Sequence, residues 1–290
     1  MDPGFGKLEQ NEASRLISAA LREDLGDLGD LTTQAMISSQ RATIAIVARE
    51  PGVVAGLPVA RIVLNEVDMD SEWTSKFEDG SIVSAGETVA KVSGRLASLL
   101  TAERTCLNFL THLSGVASLT QQFVEAVAGT KCSILDTRKT IPGWRYLQKY
   151  AVRAGGGTNH RIGLFDGILI KDNHIAGWQS STNNKLAESV TDSREKFPHV
   201  AIQIEVDSLD QLREVLPAGP DMVLLDNMTC EQLSEAVAMR DATGAGVQLE
   251  ASGNVSLTTV AEIAATGVDR ISIGALTHSA PALDLGFDFS

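Results

Sequence analysis

Six short runs punctuate the second half of the chain: Cys132-Ser133-Ile134-Leu135, Gly167-Ile168-Leu169-Ile170, Ala201-Ile202-Gln203-Ile204, Met222-Val223-Leu224-Leu225, Val247-Gln248-Leu249 and Arg270-Ile271-Ser272-Ile273. Stretches of helical periodicity separate them. Short buried strands alternating with helices predict βαβ units and a parallel sheet. The segment from Lys131 to Gly274 is too short for a full barrel of eight units, which takes about 250 residues. The expected architecture is a reduced, irregular α/β barrel of six strands, with room for a seventh.

The polar residues follow a rule in this region. The runs end, in order, in Asp136-Thr137-Arg138-Lys139, Lys171-Asp172-Asn173-His174, Glu205, Asp226-Asn227, Glu250-Ala251-Ser252-Gly253-Asn254 and Gly274-Ala275. In parallel α/β folds the C-terminal strand ends share one face, and sites are built there. The cations Arg138, Lys139 and Lys171 should therefore meet the carboxylates Glu205 and Asp226. Polar residues resume after any strand, but that accounts for one or two such endings and not for six in series. Ser252-Gly253-Asn254, read as leading into a helix through Ala265, has the chemistry of a phosphate grip, completed by Gly274-Ala275. The same residues are also ordinary turn and cap residues. In Gly155-Gly156-Gly157-Thr158-Asn159-His160-Arg161 the three glycines find no justification in packing. They mark a flexible connection or bring His160 and Arg161 close to a ligand. Zinc at His160 and His174 lacks the usual ligand spacing.

Before Lys131 the pattern is α+β. Leu16, Ile17, Ala20 and Leu21 follow helical spacing, Arg41 to Ala48 reads as a strand, and Pro58 opens a helix through Val67. Trp73, Ser75 and Phe77 alternate, and short strands continue to Val92. Ser98 is placed as the cap of a long helix through His112, which Gly115 separates from another ending near Ala128. Arg104, mid-helix, reads on spacing alone as a solvated surface arginine. The expected domains are 1–116, an α+β sandwich onto which the tail 277–290 packs, and 117–276, the barrel.

Composition limits the function. The 290 residues contain 43% hydrophobic and 21% charged residues, a globular mixture. A formal charge of −13 argues against nucleic acid and anionic membranes as partners. It leaves room for an anionic substrate held by a few cations at contact distance. Three scattered cysteines, Cys106, Cys132 and Cys230, fit a reducing compartment, and no segment reads as a signal peptide or membrane span. A cytoplasmic enzyme is expected.

Leu135-Asp136-Thr137-Arg138-Lys139-Thr140, the segment Gly155 to Arg161, and Ile170-Lys171-Asp172-Asn173-His174 closely resemble the quinolinate phosphoribosyltransferase family. Glu103-Arg104-Thr105, Glu205-Val206, Leu225-Asp226-Asn227, Ser252-Gly253-Asn254 and Ser272-Ile273-Gly274-Ala275-Leu276-Thr277 extend the likeness over nearly the whole chain. Three residues depart from the family pattern: Trp144 and Tyr146 replace smaller residues, and Ala251 stands where valine is common.

The resemblance implies an open-faced sandwich before the barrel. It also implies transfer of the phosphoribosyl group of 5-phosphoribosyl 1-pyrophosphate to quinolinate, with decarboxylation to nicotinate mononucleotide. On that reading Thr137, Arg138, Lys139, His160, Arg161 and Lys171 bind quinolinate. Arg104 joins them from the partner of a homodimer, which can assemble further to a hexamer. Glu205 and Asp226 hold ribose hydroxyls or Mg²⁺, directly or indirectly. Ser252, Gly253, Asn254, Ile273, Gly274 and Ala275 hold the 5′-phosphate. Lys139, Lys171, Glu205 and Asp226 are the implied catalytic residues. Three rivals remain: a relative using another pyridine carboxylate, a Schiff-base aldolase with Lys171 as its nucleophile, and a non-catalytic sensor of a phosphorylated metabolite.

Overall fold

The chain divides by its internal contacts into two units, each assembled from separate stretches. One comprises Met1–Gln121, Lys139–Gly157 and Ala275–Ser290; the other comprises Gln122–Arg138 and Thr158–Gly274. Continuous domains at 1–116 and 117–276 were the expectation; the stretch 139–157 instead groups with the first unit. The computed structural model describes residues 4–179, 185–244 and 246–289, so the ends of the expected first domain and tail, 1–3 and Ser290, lie outside the described residues.

In chain order the elements are α1 (Lys7–Leu25), α2 (Leu31–Met36), β1 (Arg41–Ala48), β2 (Gly52–Val53), α3 (Leu57–Val67), β3 (Glu72–Ser75), β4 (Ile82–Val83), β5 (Thr88–Arg95), α4 (Leu96–Ala126), β6 (Ser133–Leu135), α5 (Arg145–Ala154), β7 (Ile168–Ile170), α6 (Asp172–Gln179), α7 (Leu186–Lys196), β8 (Ile202–Val206), α8 (Leu209–Val215), β9 (Met222–Asp226), α9 (Cys230–Thr243), β10 (Gln248–Ser252), α10 (Val260–Ala265), β11 (Arg270–Ser272), α11 (Ala275–His278) and β12 (Leu285–Phe289). No helix among the described residues is long and apolar enough to cross a membrane.

The first unit is built on an antiparallel sheet of order β12-β1-β5-β3. The C-terminal β12 pairs with β1, Ile44 opposite Phe289 and Ala48 opposite Leu285. Pro58 stands in the first turn of α3, where a missing N–H costs little. Gly56 has no side chain to cap that helix. Asp79 does so instead, accepting from Gly56 N–H at 2.7 Å and Leu57 N–H at 3.0 Å.

Gly115 does not break a helix: α4 runs unbroken for 31 residues. A Cβ at Gly115 would lie 2.0 Å from Pro281 O and 2.9 Å from Ala282 Cα, so this glycine is required by the close approach of another backbone segment. Ser98 is not the cap either. It lies inside α4 and hydrogen-bonds Asp68. Gly115→Ala is expected to destabilise the fold by about 2 kcal/mol through overpacking, lowering the melting temperature by roughly 5 °C. An unchanged melting temperature in calorimetry would show that the segment at 281–282 yields without cost.

The second unit is a six-stranded parallel sheet of order β6-β11-β10-β9-β8-β7, each strand within about three residues of a run read from the sequence. Neither end of that order pairs with the other among the described residues. Thr158 adds only an isolated bridge to Leu135, which leaves the barrel irregular. In-register neighbours share a face of a sheet. One face carries Ile202, Ile204, Val206, Val223, Leu225, Leu249, Ala251 and Ile271, all buried. The opposite face carries Gln203, Glu205, Asp226, Glu250, Ser252, Arg270 and Ser272. Of these, Gln203, Glu250 and Ser272 are buried although polar.

Candidate active site

Register aligns the strand ends of the second unit. Asp226 pairs with Ser252, Ser252 with Ser272 and Ser272 with Leu135, so Asn227, Gly253, Ile273 and Asp136 form the next row outward. Asn227 and Asn254 have positive φ, 54° and 48°, a conformation asparagine tolerates better than most residues. Gly253 lies between them in the chain fold at φ 102°. A Cβ there would come 2.1 Å from Asn227 Oδ1, so only glycine fits. Asn227 N–H donates to Ser252 O at 2.9 Å, and Asn254 Nδ2 donates to Asn227 Oδ1 at 3.3 Å.

One expectation fails here. No helix starts after Asn254; α10 begins at Val260 and is six residues long. Any anion at Ser252–Asn254 must be met by turn N–H groups and not by a helix dipole.

Thr158 is stitched to β6, its N–H donating to Ile134 O at 2.8 Å. That stitch delivers Asn159, His160 and Arg161 to the rim beside Asp136. The buried Asp136 carboxylate accepts from Asn159 Nδ2 at 2.7 Å and from His160 N–H at 2.8 Å. Arg161 Nη1 donates to Gly167 O at 2.9 Å. Its pKa is lowered, first by burial and then by the Arg138 charge, with Asp166 opposing. Arg138 Nε is buried with no hydrogen-bond partner among the described residues. Both guanidinium groups are thus half-buried on one rim, near enough for the charge of one to act on the other. Thr137, half-buried, lies between Asp136 and Arg138 in the chain.

Lys171 follows β7, and its ammonium contacts the Glu205 carboxylate on β8. A Schiff-base lysine needs an uncharged amine in an apolar pocket. Lys171 is 42% exposed and faces a carboxylate, so the aldolase rival loses its basis. His174 Nδ1 accepts from Lys171 N–H at 3.1 Å. Asp226 ends β9, half-buried, and accepts from Asn227 Nδ2 at 2.8 Å.

The remaining expected residues belong to the first unit. Arg104 is exposed on α4 and lines an open groove of about 310 Å³ with Asn108, Trp144, Glu23 and Asp24. Lys139 is exposed, its carbonyl accepting from Thr277 Oγ1 at 2.7 Å. Ala275 begins α11. The glycine triad is corrected as well: packing does require two of its members. A Cβ at Gly155 would meet Ala117 O at 2.3 Å, and one at Gly157 would meet Thr120 Cγ2 at 2.7 Å.

The model of the quinolinate phosphoribosyl transferase N-terminal domain matches residues 30–114, and that of its C-terminal domain matches residues 116–288. The chain belongs to the quinolinate phosphoribosyltransferase family. It is 46% identical to the nicotinate-nucleotide pyrophosphorylase (carboxylating) of Mycobacterium leprae, over 97% of this chain and 98% of that one. It is 38% identical to the probable enzyme of the same name in Bacillus subtilis, over 96% and 93%. The solved nicotinate-nucleotide pyrophosphorylase of Francisella tularensis superposes with a TM-score of 0.89 at 40% identity, covering 97% of this chain and 96% of that one.

Two departures from the quinolinate phosphoribosyltransferase pattern have a place in the packing. Trp144 stacks on Phe109, ring centroids 4.7 Å apart, and meets the edge of His112. Ala251 is buried on the apolar face of β10. Nothing in the structure explains Tyr146.

Sequence reasoning gave no role to Asp136, Gln203, Glu250 or Arg270. The only signal was alternation: Ile202-Gln203-Ile204-Glu205-Val206 reads apolar, polar, apolar, polar, apolar.

Proposed function

We propose that this rim is the active site for phosphoribosyl transfer, and the Arg138–Arg161 pair is the observation that carries the reading. As a member of its family, the chain transfers the phosphoribosyl group of 5-phosphoribosyl 1-pyrophosphate to quinolinate. Decarboxylation follows, giving nicotinate mononucleotide, pyrophosphate and carbon dioxide in NAD biosynthesis. Two partly desolvated guanidiniums repel each other unless an anion lies between them. A pyridine dicarboxylate suits that need, because an arginine fork takes a carboxylate in bidentate fashion.

The ring nitrogen attacks the anomeric carbon as the bond to pyrophosphate breaks. The transition state is oxocarbenium-like, so positioning and fixed charge do most of the work. The new ring cation stabilises the electron pair that carbon dioxide leaves on the adjacent ring carbon, and a proton from solvent then takes the vacated position. Ser252, Gly253 and Asn254, with Ile273 and Gly274 in the neighbouring loop, hold the 5′-phosphate by turn N–H groups. Lys171 orients Glu205 toward the ribose hydroxyls.

Asp226 is the residue for magnesium. No group of three candidate ligands occurs among the described residues, so they fit an ion delivered with the diphosphate better than a protein-only cage. Bound there, Mg²⁺ would neutralise diphosphate charge and ease its departure. Arg104 completes the site from the partner of a homodimer, alone or within a hexamer built of such dimers. The free thiols Cys106, Cys132 and Cys230 support a cytoplasmic setting.

The test is an incubation of the enzyme with 5-phosphoribosyl 1-pyrophosphate, Mg²⁺ and quinolinate labelled in the carboxylate that is lost. Release of labelled carbon dioxide with formation of nicotinate mononucleotide is expected; binding without turnover would leave a sensor. Asp226→Ala is expected to weaken 5-phosphoribosyl 1-pyrophosphate by at least about tenfold in calorimetry with Mg²⁺ and to change quinolinate by less than about twofold. Unchanged affinity for the sugar phosphate would remove Asp226 from that role.

A further inference from the structure

Glu250 lies on the polar face of β10, two residues before Ser252, with none of its surface exposed. A buried carboxylate is costly unless charges and donors surround it. Arg270 Nε stands 3.1 Å from Oε2, Gln203 Nε2 donates to the same oxygen at 3.1 Å, and Ser272 adds a hydrogen bond. Burial pushes the pKa up, but His160, Arg270 and Ser272 outweigh it and hold the carboxyl below its ordinary value.

The other oxygen, Oε1, lies 3.3 Å from His160 Nε2, a charge contact without hydrogen-bond geometry. His160 is held at its second nitrogen too: Arg161 N–H donates to Nδ1 at 2.8 Å. Nδ1 is therefore an acceptor, and Nε2 carries the ring proton. Both ring nitrogens point at the protein, and the side chain is 9% exposed. What His160 can do is brace. Its own main chain is fixed by Asp136, and its ring ties the Arg161 main chain to a carboxylate anchored in the sheet.

We propose that Glu250 is a positioning residue which acts through His160 to fix the Arg161 main chain, and with it the placement of the Arg161 guanidinium beside Arg138. His160 is then a strut between the sheet and the Arg161 main chain. The proposal rests on the reading that Arg138 and Arg161 hold the substrate acid. The spacing of two guanidiniums decides how well one dicarboxylate satisfies both, so a loosened strut weakens quinolinate and leaves the phosphate end alone.

The experiment is a double-mutant cycle read as the Kd of quinolinate by calorimetry, with the Kd of 5-phosphoribosyl 1-pyrophosphate as the control. Glu250→Gln and His160→Ala are each expected to weaken quinolinate roughly tenfold and to shift the sugar phosphate less than about twofold. The double variant should be no worse than His160→Ala alone, because on this proposal Glu250 reaches the arginines through His160. Glu250→Gln strands the buried Arg270 charge, so Glu250→Gln/Arg270→Gln is measured beside it. The same loss of quinolinate affinity is expected there. Wild-type quinolinate affinity in a folded Glu250 variant, or additive losses in the double variant, overturns the proposal. If Arg161→Ala binds quinolinate like wild type, the carboxylate-grip reading itself falls, and the strut has nothing to position.

Discussion

Quinolinate is expected to be used about a thousandfold more efficiently than nicotinate, compared as kcat/KM at saturating 5-phosphoribosyl 1-pyrophosphate. Arg138 and Arg161 set this difference. Arg138 Nε is buried without a hydrogen-bond partner among the described residues, and the two charges lie close enough for Arg138 to depress the Arg161 pKa. The free site therefore holds like charges that water solvates incompletely. A dicarboxylate neutralises both. A monocarboxylate leaves one guanidinium desolvated and unpaired, at a cost of several kcal/mol, and each 1.4 kcal/mol is about tenfold. Decarboxylation adds to the difference, since nicotinate has no second carboxylate to lose. Comparable kcat/KM values for the two acids would mean that the arginine pair does not read the second carboxylate.

The second large effect concerns Arg104. Arg104→Ala and Lys171→Ala are each expected to be nearly inactive, yet a refolded mixture of the two should regain roughly a quarter of wild-type activity. Arg104 is exposed on α4 in the first unit, in a groove that also carries Glu23 and Asp24, while Lys171 ends a strand of the second unit. In a two-fold dimer each subunit can donate its Arg104 to its partner's strand ends. A mixed dimer then has one site carrying both substitutions and one carrying neither. Random reassortment makes about half of all dimers mixed, each with one intact site of two. The two variants are unfolded and refolded together, then assayed against each refolded alone, with subunits of distinguishable mass to prove exchange. If exchange is complete and no activity returns, Arg104 acts within its own chain or has no part in the site.

The parallel sheet was legible because a strand buried between helices leaves a short apolar run, and six such runs are hard to read otherwise. The strand ends were legible for the same reason: polar residues that resume after each run must emerge on one edge. Lys171, Glu205, Asp226 and Ser252 were read this way, and each lies within one residue of the C-terminal end of its strand. Gly115 was misread because a glycine in a helical pattern looks like a break, whereas the approach of Pro281 that requires it is 166 residues away in the chain. The glycine triad was misread similarly. Its neighbours Ala117 and Thr120 belong to another helix, and nothing local reports them.

By itself, then, the sequence determined the strand–helix rhythm, the edge on which polar residues collect and, through its motifs, the family. These follow from local periodicity and from residue types at strand ends. Only the tertiary structure decided which buried charges support that edge. Glu250, Arg270 and Gln203 come from separate stretches of the chain, and each alone reads as an ordinary polar residue, while nothing local to His160 reports its contact with Glu250. A buried charge is tolerable only beside its partners, and partners that meet across strands are fixed by register and sheet order, which no local stretch of sequence encodes.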